Sequence, residues 1–182
     1  MWRLHRHIGM GGDQFVTAVA GEEVEQRLGE ALREASAAEF RPMRDECEPL
    51  AGVRELVEEL RRRGIAVVLA SSSGGDDVEH FVRKIGIEAL VDGWTTKDDV
   101  EKSKPHPDVV HAALEKAGTE DAVMVGDSRW DIEAAGNAGL PTVSVITGGW
   151  SIQELRDAGA AAVFESLLDL AAALDSTPFA AP

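Results

Sequence analysis

The sequence predicts an α/β protein built on a parallel sheet with helices on both faces. Two observations carry that prediction. Residues 65–70 (IAVVLA) and 122–125 (AVMV) are short apolar runs with no polar alternation, the pattern of strands buried on both faces. Between such runs lie amphipathic stretches of helical period, so strand and helix alternate, which favours right-handed crossovers and a parallel sheet.

Taken in order, residues 16–40 are rich in Ala, Glu and Arg, with Val16, Val19, Val24, Leu28 and Leu32 at helical intervals. Gly21 and Gly29 predict a broken pair of helices there. The 42–52 stretch, with Pro42, Pro49 and Gly52, reads as a linker. Residues 53–63 form an amphipathic helix stopped by Gly64. The 65–70 strand then runs into Ser71, Ser72, Ser73, Gly74 and Gly75. A helix over 76–84, a short strand over 90–94 and a charged loop over 95–107 follow. Next come a helix over 108–117, the 122–125 strand, a helix over 131–138 closed by Gly139, and a strand over 142–146 ending at Thr147, Gly148 and Gly149. A helix from Ser151, a very short strand over 161–164 and a last helix to Leu174 complete the pattern.

A chain of 182 residues holds one sizeable core plus a small appendage. Its 44% hydrophobic and 28% charged residues are those of an ordinary globular protein. The net charge of -15 disfavours nucleic acid and anionic membranes as partners. No apolar stretch approaches a membrane span, and the first 20 residues lack the apolar block of a signal peptide, so a cytoplasmic location is expected. Cys47 is the single cysteine, so no internal disulfide forms.

Ligands of such sheets bind beyond the carboxyl ends of the strands, which directs attention to four places: Ser71, the loop from Thr95 to Lys104, Asp127 to Asp131, and Thr147 to Gly149. In Gly126-Asp127-Ser128-Arg129-Trp130-Asp131, two carboxylates spaced i and i+4 at a helix start can face one point and suit Mg²⁺. The alternative makes Asp127 a loop acid and Asp131 a helix N-terminal charge. The Ser71 hydroxyl and the N–H groups of Ser72 and its neighbours can hold a phosphate oxygen, or serve as a helix cap. Lys104, held before Pro105, can neutralise charge between carboxylates and a phosphate, or be a solvated loop charge together with Lys102.

These motifs, in this order and at these strand ends, resemble the haloacid dehalogenase-like hydrolases, in particular the phosphoglycolate phosphatase and β-phosphoglucomutase-like branch. The matching residues are Val67-Val68-Leu69-Ala70-Ser71, Ser103-Lys104-Pro105-His106-Pro107-Asp108 with Ser where the family has Gly, and Gly126 to Asp131. The resemblance implies a Rossmannoid core over 46–182 and part of a helical cap over 1–45. It implies Mg²⁺ held by Asp127 and Asp131, and phosphate held by Ser71, Ser72 and Lys104. Within the cap, His5-Arg6-His7-Ile8-Gly9-Met10 resembles the family's substrate loop, which makes Arg6 a candidate specificity residue. His5 and His7 read as a surface pair at a frayed terminus, and Trp2, Phe15 and Trp130 as packing residues.

The family's first strand and the Asp-x-Asp that follows it have no counterpart here. Neither Asp13 nor Asp45 follows a buried strand, so neither is expected to be the nucleophile. That strand would lie centrally, between those ending at Ser71 and Gly126. Either its neighbours close the gap, another copy of the chain covers it, or a longer form supplies it. The expected function is therefore a Mg²⁺-dependent phosphatase scaffold for a small phosphorylated metabolite, inactive as this chain stands. The alternatives are a sugar-phosphate mutase, and a non-catalytic protein that associates through its exposed core.

Overall fold

In the computed structural model, which describes residues 2–180, two helical units precede the α/β body. A single helical turn, α1 (Trp2–His5), leads into the antiparallel pair α2 (Gly12–Ala20) and α3 (Glu22–Met43). The chain reverses at Gly21, whose φ of 91° and ψ of 165° suit a residue without a Cβ. The expected break at Gly29 does not occur: that residue lies buried inside an unbroken α3. Helix α3 also runs through Pro42 and ends one residue later, so the linker begins only at Arg44.

The body follows the predicted alternation: α4 (Val53–Arg62), β1 (Val68–Leu69), α5 (Gly75–Ile85), β2 (Gly93–Trp94), α6 (Asp108–Ala117) and β3 (Met124–Gly126), then α7 (Arg129–Asn137), β4 (Thr142–Val145), α8 (Ile152–Asp157), β5 (Ala162–Phe164) and α9 (Leu167–Ala172). Every strand pair is parallel, with Val68 opposite Gly93, Val125 opposite Val143 and Ser144 opposite Val163. Helices cover both faces. Leu56 and Leu60 of α4 pack with Leu167 and Leu170 of α9 against Val143 and Val145 of β4. On the opposite face, Val109 and Val110 of α6 pack against Ala134 of α7.

The strands form two sheets rather than one: β1–β2 and β3–β4–β5. The alternative in which β1 and β3 close up on each other is thus overturned. It also explains why only Val68 and Leu69 of the predicted 65–70 strand are ladder-bonded, since β1 has a neighbour on one edge alone.

Hydrogen-bond parity shows which edges are free. Val67 and Leu69 accept bonds from Asp92 and Thr95 on the β2 side, so the peptide groups of Ala66, Val68 and Ala70 point the other way. Met124 donates to Pro141 on the β4 side, which turns Val123 and Val125 toward β1. The two free edges border cavities of about 470 and 280 Å³ that share Ile65, Ala66, Val68, Ala70, Val123 and Met124 as walls. Helix α4 lines the larger cavity and α6 the smaller, so the slot between the half-sheets has apolar walls on both faces.

Candidate active site at the end of the slot

The carboxyl ends of β1 and β3 point the same way. Ser71 after β1 and Asp127 after β3 line the larger cavity together with Lys104, Asp131, Thr147 and Gly9. The structure therefore brings Ser71, Lys104, Asp127 and Asp131 to one end of the slot.

The metal-type loop is set by local chemistry. Ser128 is the N-cap of α7 in a capping box: its hydroxyl accepts from the Asp131 N–H, and Asp131 Oδ2 accepts the Ser128 N–H at 3.0 Å. The same Oδ2 takes the Asp127 N–H at 3.2 Å and the Ser128 hydroxyl at 2.7 Å. Gly126 makes this possible, because a Cβ there would lie 2.8 Å from Asp131 Oδ2. The other oxygen, Oδ1, receives the Lys104 ammonium at 2.8 Å. This pair is largely enclosed, with side-chain exposures of 17% for Lys104 and 7% for Asp131. The alternative reading of Asp131 as a charge at the start of its helix is realised in this capping box, and Asp131 also pairs with Lys104, which is no solvated loop charge.

Asp127 is placed differently. Burial pushes its carboxyl up, the hydrogen bond from Thr147 pulls it down, the Asp131 charge raises it and Lys104 lowers it. Its Oδ2 accepts from the Thr147 hydroxyl at 2.8 Å. A half-buried carboxylate without an ion-pair partner among the described residues, beside a second carboxylate, is a donor set suited to a cation. Among the described residues no group of three or more His, Cys, Asp or Glu comes together as a closed metal cage. Mg²⁺ binds through one or two carboxylates while keeping several waters, so the residues present fit it.

Ser71 forms a local turn: its Oγ accepts the Ser73 N–H at 3.1 Å, and its own N–H donates to Thr95 Oγ1 at 2.8 Å. The Thr95 hydroxyl in turn donates to the Ser71 carbonyl at 2.7 Å. Ser71 does not cap α5, whose N-cap is Gly74 with no side-chain bond, so the capping alternative for Ser71 is not realised. Thr95 and Thr147, which tie Ser71 and Asp127 in place, received no role from the sequence. Their only signal was position at a strand end.

The N-terminal segment lies against this loop. Arg6 stands over the Trp150 ring at 3.7 Å and bonds Glu154 at 2.5 Å. Glu154, which also completes a capping box with Ser151, is held at about 2, first by the Ser151 N–H and then by Arg6. Its carboxylate occupies the guanidinium of the candidate specificity residue. His7 is no frayed surface residue: it stacks on Trp130 with centroids 6.0 Å apart, while His5 is exposed. Trp130 also meets Trp150 edge-on, in keeping with a packing role. Asp13 and Asp45 lie in α2 and in a short 3-10 turn (Arg44–Glu46), so neither follows a strand.

A family model for haloacid dehalogenase-like hydrolases matches residues 2–145. The chain belongs to that family. Among solved structures of the family's fold, a hydrolase from Pseudomonas syringae is 31% identical, with a TM-score of 0.88 over 96% of this chain and 82% of that one. CbbY from Rhodobacter sphaeroides, solved with phosphate, shares the fold at a TM-score of 0.70 and 23% identity, over 88% of this chain and 75% of that one. A pyrophosphatase, PpaX, from Bacillus cereus is 39% identical over 95 residues, 51% of this chain and 44% of that protein. This hydrolase-family chain thus matches less than half the length of such curated relatives. No helix among the described residues is long and apolar enough to cross a membrane.

Proposed function

We propose that the chain is the scaffold of a magnesium-dependent phosphatase for a small phosphorylated metabolite, with residues 1–45 as part of a cap over a 46–182 core. One observation carries the reading: a hydroxyl, an ammonium and two carboxylates from separate elements meet at the end of one slot. Pyrophosphatase activity in the PpaX relative and bound phosphate in CbbY support the phosphoryl chemistry.

In this reading Ser71 and the N–H groups that follow it hold two phosphoryl oxygens, and Lys104 offsets their charge. Asp127, oriented by Thr147, and Asp131 would hold Mg²⁺, which supplies further charge neutralisation at the phosphoryl group. No residue described here supplies the attacking carboxylate. A strand seated in the slot, parallel to β1 and β3 and apolar on both faces, would carry one at its carboxyl end beside Ser71 and Asp127. That carboxylate would attack phosphorus in line as the ester P–O bond breaks, and water would then hydrolyse the acyl phosphate.

The test is phosphate release from phosphoglycolate and an aryl phosphate with Mg²⁺. The 182-residue chain should show no turnover above its Asp127→Ala variant. A chain extended upstream by an apolar strand ending in Asp-x-Asp should gain turnover that Lys104→Ala removes. Turnover by the short chain that vanished with Asp127→Ala would overturn the absence of a nucleophile, and an extended chain without turnover would refute the phosphatase reading. The free edges of β1 and β3 favour a second reading, association with another chain through the slot. A monodisperse monomer by light scattering at high concentration would count against that one.

A further inference from the structure

Lys104 reaches Asp131 from a loop that is held at three points. The Lys102 N–H donates to Asp108 Oδ2 at 3.0 Å, at the start of α6. The Pro105 carbonyl accepts from Asn137 Nδ2 at 3.2 Å, at the end of α7. Between these, the buried Ser103 is gripped by the Asp13 carboxylate, which accepts the Ser103 N–H at 3.0 Å on Oδ2 and the Ser103 hydroxyl on Oδ1. Two of the anchors come from the body; the third comes from the helical pair, 90 residues earlier in sequence.

Several features mark the third anchor as specific. Asp13 lies in the first turn of α2, where the helix dipole favours a carboxylate, and its remaining bond is from Gln14 at 2.9 Å. No ion pair within 4.0 Å competes for it among the described residues. Gly11 passes so close to Ser103 that a Cβ there would overlap the serine side chain. Ser103 and Lys104 are adjacent, so fixing the Ser103 peptide fixes the start of the Lys104 backbone.

We infer that Asp13 is a positioning residue for Lys104: by seizing Ser103 it sets the direction of the ammonium, and makes that direction depend on α2 being docked. Contact between the helical pair and the body thereby sets where the cation of the site stands. Under the phosphatase reading, this couples closure of the cap to charge neutralisation at phosphorus. Only that consequence rests on the phosphatase reading.

The experiment reads Lys104 directly in the 182-residue chain, by competitive acetylation with an N-hydroxysuccinimide ester and peptide mass spectrometry. Lys84 and Lys116, each in its own ion pair elsewhere, serve as internal references. Asp13→Ala should raise the Lys104 labelling rate about fivefold or more, with Lys84 and Lys116 unchanged. Asp13→Asn keeps an acceptor for the Ser103 N–H and should return the rate most of the way. Gly11→Ala wedges α2 away from Ser103 with the carboxylate intact, and should give the same selective rise even if Asp13→Ala unfolds. A Lys104 rate that stays constant in the Gly11 variant, or rises only in step with the reference lysines, overturns the assignment. Absence of phosphatase turnover would leave it standing, because the labelling does not depend on catalysis.

Discussion

Strand β4 has the sequence Thr-Val-Ser-Val, two hydroxyls in four residues, yet it is buried at all four positions and ladder-bonded on both edges. The run IAVVLA at 65–70 is wholly apolar, yet only two of its residues are in a ladder. Composition alone ranks these two segments in the wrong order. Strand length here follows the number of paired neighbours, because side-chain preference for a strand is mostly a preference for what packs beside it. Strand β4 is closed on both edges, whereas β1, like β3 across the slot, ends at an edge with no partner.

The largest test of that contrast is mutational. Leu170→Ala, in the core against β4, should cost about 2–5 kcal/mol, as large-to-small changes in closed cores do. Leu69→Ala in β1, partly buried beside the slot, should cost about 1 kcal/mol or less, since its site is already open on one side. Urea unfolding of the two variants measures both values. Equal losses would show that the half-sheets are equally closed in solution.

A finer test is amide hydrogen exchange. Val68 and Val125, whose N–H groups turn toward the slot, should exchange faster than Leu69 and Met124, their paired neighbours. Adding a strand that occupies the slot should abolish the difference, which would convert the contrast between edges into a measure of occupancy.

The smallest expected effect concerns Asp127 and Asp131, four residues apart, one in the turn after β3 and the other in the first turn of α7. Asp131 is satisfied by three donors on Oδ2 and by Lys104, whereas burial pushes the Asp127 carboxyl up from its ordinary 3.8. A carboxyl raised in the folded state adds stability below its unfolded pKa, and that stability is lost as pH rises through the folded value. Asp127→Asn should therefore raise the melting temperature at pH 7 without Mg²⁺, and the gain should disappear below about pH 4. A loss of stability at pH 7 would mean that Asp127 is better satisfied than its surroundings suggest.

Much of this was legible in the residues because the signals were local. Helical and strand periods and the strand-end positions of Ser71 and Asp127 all lie within a few residues of sequence. The roles of Thr95, Thr147 and His7 were not legible, since their partners Ser71, Asp127 and Trp130 lie 20 or more residues away and nothing local selects them. Arg6 illustrates the limit: its motif pointed to a substrate, while a contact with Glu154 across 148 residues occupies its charge.

Sequence by itself determined the order of elements, their parallel alternation and the residue types at each strand end, because each depends on period, capping and turn chemistry over a short span. Tertiary structure decided that β1 and β3 stay apart, that Asp13 grips Ser103, and that Lys104 faces Asp131. Those outcomes depend on which distant surfaces meet, and a backbone edge left without a partner carries no mark in its own side chains.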